Sequence, residues 1–174
     1  MRSILFRQFT VFLLTGSFLL LAGCGGWGDY EHKSDRFKFK VTFPEKWEVW
    51  DRSDDHSDHL VATLPDILPE GKIAVRVTPL APDATINEIL PSFRGNLPTE
   101  MEEFEIMDEG TISSKKGEGR SITFTYLTEK HRMEGIRVLF IGHRFQVRVE
   151  MEMPKENFAT YEPEFRKMIS LMEL

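Results

Sequence analysis

Between Phe145 and Met153 the chain alternates without a fault. Phe145, Val147, Val149, Met151 and Met153 are apolar, and Gln146, Arg148, Glu150 and Glu152 lie between them. Side chains of an extended strand point to opposite faces in turn, so the pattern predicts a strand with one buried and one wet face, ended by Pro154. Phe37, Phe39, Val41 and Phe43 repeat the pattern ahead of Pro44. Shorter strands are predicted over 47–50, 59–64 and 73–78. In the second half, strands over 104–113, 119–128, 133–141 and 145–153 follow in succession. Their turns are read at Gly117-Glu118-Gly119, Thr128 to Arg132 and Gly142-His143-Arg144. Connections this short cannot make parallel crossovers, so the pairing is antiparallel.

Two helices complete the pattern. Thr85 followed by Glu88 is a capping-box spacing, opening a helix through Ile86, Ile89 and Leu90 that Pro91 breaks or kinks. Phe158, Tyr161, Phe165, Met168, Ile169 and Met172 recur at helical spacing, with Pro163 expected in the first turn of the main terminal helix. That apolar stripe should lie across the sheet. The fold class is α+β, a central antiparallel β-sheet flanked by helices.

The amino-terminal segment has a different character. Arg2 and Arg7 precede an apolar stretch from Phe9 to Leu21, followed by Ala22-Gly23 and then Cys24, the only cysteine in the chain. This is the build of a signal peptide, and the run is short of the roughly 20 apolar residues a spanning helix needs. A lone cysteine cannot form an internal disulfide. Leu21-Ala22-Gly23-Cys24 resembles the lipobox of bacterial lipoproteins, which implies diacylglycerol transfer to the Cys24 sulfur, cleavage before it and acylation of the new amino terminus. Several acyl chains hold a domain on a membrane stably, at about 0.8 kcal/mol per buried methylene. Residues 1–23 are thus expected to be a lipoprotein signal peptide, 24–35 a glycine-rich flexible tether carrying Trp27, and 36–174 one domain. Gly25 is not the aspartate associated with inner-membrane retention. The expected location is the bacterial cell envelope: the outer membrane, facing the periplasm, in a two-membrane host, or the outer face of the cytoplasmic membrane in a one-membrane host.

Loss of residues 1–23 removes Arg2 and Arg7 and no acid, taking the formal charge from −6 to −8. Such a balance disfavours nucleic acid, whose phosphates require clustered Lys and Arg. The densest polar constellation is Asp51-Arg52-Ser53-Asp54-Asp55-His56-Ser57-Asp58-His59. Imidazole plus carboxylate suits zinc, copper or nickel, so this loop is the candidate for a divalent-metal site; its other reading is a solvated connection rich in turn formers. His32, His131 and His143 are read as solvent-exposed, and Glu102, Glu103, Glu105, Asp108 and Glu109 as a solvated acidic face. There is no G-x-S-x-G elbow, and Gly117-Glu118-Gly119 lacks the third glycine of a dinucleotide loop. No catalytic residue, cofactor site or metal ligand is assigned; Cys24, as the lipidation site, is the one site residue.

The order "FKFKVTFPEKWEV", a helix opening at Thr85, "GEGRSITFTY", "HRFQVRVEME" and the closing "NFATYEPEFRKMISL" resembles the PsbP-type fold. That fold is shared by the photosystem extrinsic protein PsbP, DcrB-type lipoproteins and Mog-type Ran-binding proteins. The resemblance spans about residues 35–174 and implies an α/β/α sandwich and an accessory or binding role without catalysis. The chain shows no basic segment suited to photosystem docking. The expected function is a membrane-tethered, non-catalytic envelope lipoprotein that binds an envelope protein partner. The alternatives are a divalent-metal binder using 51–59 and an envelope hydrolase, which would need polar side chains converging in a deep pocket.

Overall fold

The alternating strand that ends at Pro154 sits in the middle of the molecule. The computed structural model describes residues 30–95, 97, 101–115 and 117–174. In chain order its elements are β1 (Tyr30–Ser34), β2 (Phe39–Phe43), β3 (Glu48–Asp51), β4 (Asp58–Leu64), β5 (Gly71–Pro79), α1 (Ile86–Gly95), β6 (Glu102–Ser114), β7 (Gly117–Leu127), β8 (Arg132–Ile141), β9 (Phe145–Pro154) and α2 (Lys155–Leu171). Seven strands form one sheet in the order β3-β4-β5-β9-β8-β7-β6, every pair antiparallel. The meander β6 to β9 therefore folds back to set β9 against β5. A separate ribbon, β1-β2, packs beside it. None of the described helices is long and apolar enough to cross a membrane.

The sheet has two differently closed faces. On one, Val147, Val149, Met151 and Met153 of β9 join Ile73, Val75 and Val77 of β5 beneath α2 and the ribbon, whose Phe39, Val41, Phe43, Phe165 and Ile169 are fully buried. The tail seals this face: Lys40 and Glu173 exchange both backbone hydrogen bonds, at 2.9 and 3.0 Å. On the other face α1 lays Ile89 and Phe93 onto Ile122, Phe124, Tyr126, Met133 and Leu139 of β7 and β8. Helices thus lie on both sides of the sheet, and α1 covers only one half of its side.

Four local expectations are corrected. Residues 30–34, read as tether, form β1: Tyr30 to Ser34 pair with Phe43 to Phe39. Cys24, Trp27 and the expected signal peptide over 1–23 lie outside the described residues. Helix α1 runs through Pro91 and α2 through Pro163. Both prolines are on exposed faces, as are Asn87 and Ala159, the residues whose carbonyls each lose an N–H partner to a proline. The glycine turn lies earlier than expected, since Gly117 already begins β7. Gly119 is required by close approach, because a Cβ there would meet the Leu139 carbonyl oxygen and the Phe140 ring, both at 2.7 Å. The capping box is half formed, with the Thr85 N–H donating to the Glu88 carboxylate at 2.8 Å.

Candidate functional site: a cationic recess on the open half of the sheet

Register decides what meets on the uncovered half-face. One row across the strands runs His59, Arg76, Arg148, Leu139, and the next runs Trp50, Val61, Ala74, Glu150, Arg137. Alternate strand positions share a face, so all of these point the same way, Leu139 and Arg137 beneath or against α1 and the rest on the open side. Where the rows meet beside α1, His59, Ala74, Arg76, Arg137, Arg148 and Glu150 line an open cavity of about 300 Å3. Three arginines and one carboxylate share it, and of the three only Arg137 pairs with Glu150.

Each arginine is held differently. Arg137 is almost fully buried; it is paired with Glu150, donates to the Phe93 carbonyl at 3.3 Å, and its guanidinium carbon stands 6.0 Å from the centre of the Phe124 ring. It ties the last turn of α1 to the sheet, where a cation also meets the negative end of the helix. Arg148 donates to the Ser92 hydroxyl at 3.2 Å, while its buried Nε has no acceptor. Arg76 is exposed and makes no ion pair among the described residues. Gln146, next along β9, donates to Thr78 at 3.0 Å and leaves its own buried carbonyl oxygen without a donor.

The titrating groups record this crowding. Burial, with Arg76 and then Arg52 nearby, pulls the His59 imidazole below its ordinary value. Burial, with Arg137 and Arg76, lowers the Arg148 guanidinium, which stays charged all the same. Burial raises Glu150, Glu152 adding to the effect and Arg137 opposing it. Cations thus outnumber anions on this patch of an acidic protein.

The loop over 51–59 does not gather a metal site. Asp54 turns its carboxylate onto its own loop, accepting from the backbone N–H of His56 and of Ser57, both at 2.7 Å, and these bonds hold it below the ordinary carboxylate range. His56 is exposed, whereas His59 belongs to the recess beside Arg76. Asp58 points to the opposite face, buried against Arg36 at 2.7 Å. No group of three His, Cys, Asp or Glu able to hold a metal occurs among the described residues. His32, read as exposed, instead sits in β1 with its ring nitrogens each 3.5 Å from a carboxylate, Asp51 on one side and Asp58 on the other. It fastens the ribbon to the sheet. His143 is exposed as read, and His131 is half-buried in the β7–β8 turn. On β6, Glu103 and Glu109 of the acidic face pair with Arg132 and Arg94.

No family model and no curated protein matches the chain. Solved structures do. The solution structure of the cyanobacterial PsbP, CyanoP, of Synechocystis sp. PCC 6803 superposes with a TM-score of 0.65 at 11% identity, covering 88% of this chain and 98% of that one. The crystal structure of LpqN, involved in cell envelope biogenesis of Mycobacterium tuberculosis, gives 0.62 at 12% identity over 83% and 88%. The Ran-binding protein Mog1p of Saccharomyces cerevisiae gives 0.56 at 10% identity over 83% and 94%. Identities this low speak for architecture alone. A seven-stranded antiparallel sheet between α1 and α2, matched nearly end to end by these three structures, is the PsbP-like fold.

Proposed function

We propose that this protein is a lipid-anchored, non-catalytic accessory domain of the bacterial cell envelope, and that it engages its envelope partner through the uncovered half of the sheet. The observation that carries the reading is the unequal closure of one sheet face. α1 seals β7 and β8, whereas β3, β4, β5 and β9 keep their part of this face open, with Trp50 42% exposed on the edge strand β3 and three arginines lining the recess. Exposed aromatics and arginine are the side chains that dominate binding surfaces. The recess lining contains no hydroxyl or thiol nucleophile, which favours binding over hydrolysis. The anchor rests on the resemblance of Leu21 to Cys24 to a lipobox, and LpqN, which is involved in cell envelope biogenesis, offers a fold-level analogy.

Two measurements test the reading. Mass spectrometry of the protein from its native cells should find an acylated Cys24 as the first residue; an unmodified sulfur, or residues 1–23 still attached, sinks the anchor. A photo-crosslinking side chain at position 50 should yield one reproducible adduct in intact cells, and the same group at Glu164, exposed on α2, should not. Equal capture at both positions removes the open face as the working surface.

A further inference from the structure

We propose that the recess between β4, β5, β9 and β8 is a binding site for a phosphomonoester. This deepens the reading of the open half-face as the working surface and names the chemistry it takes. Charge is the first argument. Arg76, Arg137 and Arg148 line the cavity and Glu150 offsets at most one of them, so at least two positive charges remain for an occupant. A phosphomonoester near neutral pH carries close to two negative charges, whereas a carboxylate or a phosphodiester carries one.

Donor geometry is the second. A guanidinium offers five N–H donors in a planar fork suited to phosphate and carboxylate oxygens. Arg148 spends one of its donors on Ser92, while Arg76 spends none among the described residues. These two side chains are cross-strand partners, and Arg137 enters from the next row with α1 behind it. Guanidiniums rooted on three strands, β5, β9 and β8, suit the three terminal oxygens of a phosphoryl group better than the two coplanar oxygens of a carboxylate. Size is the third: about 300 Å3 accommodates a phosphoryl group with a small attached alcohol, at the lower end of ligand pockets. Glu150 acts as the positioning residue, since its pairing with Arg137 holds that guanidinium at the recess floor.

The phosphomonoester has two possible sources, a lipid headgroup and a free phosphorylated metabolite, and one calorimetric series separates them. The full chain in a phosphate-free maltoside detergent is titrated with inorganic phosphate, glycerol 3-phosphate, dihexanoyl phosphatidic acid, dimethyl phosphate and acetate. One-site binding of the first two is expected, with dimethyl phosphate and acetate weaker by about tenfold or more. Phosphatidic acid binding as tightly as glycerol 3-phosphate assigns the headgroup; its exclusion assigns the free metabolite. Arg76→Gln should weaken inorganic phosphate about tenfold with an unchanged urea midpoint. Arg94→Gln, which alters an arginine paired to Glu109 outside the recess, should leave the affinity alone. Absence of heat with phosphate at millimolar concentration, acetate binding as tightly as phosphate, or equal affinity in the Arg76→Gln variant each overturns the site. Phosphate binding without crosslinks from position 50 would keep the recess and remove the protein partner; crosslinks without phosphate binding would do the reverse.

Discussion

Beneath α1, β7 and β8 present Ile122, Phe124, Met133 and Leu139; two strands away on the same face, β5 and β9 present Ala74, Arg76, Arg148 and Glu150. Both halves are paired antiparallel on each side, and β5, β9 and β8 share one core on their reverse, where β7 carries Ser121, Thr123 and Thr125. What differs is the lid, and the side chains follow it: apolar where a helix covers them, charged where water reaches them. Arg137 stands on the boundary and belongs to both regimes, with its guanidinium over the Phe124 ring and its donors on Phe93 and Glu150. A sheet face can thus hold a hydrophobic core and a polar recess side by side, provided that one residue joins them without leaving a charge unpaired.

The contrast makes quantitative predictions, the largest on the covered half. Phe93 is fully buried, and Phe93→Ala should cost about 3–5 kcal/mol in urea unfolding, the range for removing a buried aromatic. Trp50→Ala on the open half should stay within about 0.5 kcal/mol. Comparable losses at both sites would abolish the distinction. A smaller effect is expected at Gly135, where a Cβ would lie 2.6 Å from the Phe124 ring that packs across it. Gly135→Ala should cost about 1–3 kcal/mol, as overpacking does, and a second substitution, Phe124→Leu, should recover part of it. Additivity of the two would show that the glycine is not there to admit the ring.

The smallest effect sharpens the open half. The His59 ring, followed by NMR, should titrate below 6.5, and Arg76→Gln should move its midpoint up because one of the charges depressing it is gone. The sign for stability follows from the depressed folded value. The neutral His59 contributes above pH 6.5, and that contribution is lost as pH falls through the folded midpoint. A midpoint indifferent to Arg76 would place the two groups too far apart to share an occupant.

Much of the scaffold was legible because it is written in periods. The alternation of β9, the meander before it and the stripe of α2 all appear in the chain as they appear in the fold. β1 was not, since Tyr30-Glu31-His32-Lys33-Ser34 lacks an apolar alternation and gains its place by pairing with β2. The two helices outlast their prolines because each proline faces water, and that orientation is visible only once Phe93 and Phe165 are known to face inward. The recess was the least legible part. Arg148 and Glu150 were plain as the wet side of β9, and His59 as part of a polar loop. Their meeting with Arg76 depends on β9 lying beside β5 across some 70 intervening residues, a fact of topology that no local pattern carries. The chain has no basic segment because its cations are brought together from three strands, β5, β8 and β9.

The strand β1 shortens the leash. With Cys24 acylated as proposed, only the residues between it and Tyr30 separate lipid from folded protein, a reach of about 20 Å at full extension. Such a body cannot roam over the bilayer's surroundings or turn freely above it. Anchored so, its ribbon end would stay near the headgroups, and a pull on the acyl chains would enter at Tyr30, opposite Phe43, and run along β1 to the His32 clasp between Asp51 and Asp58, one residue away from His59.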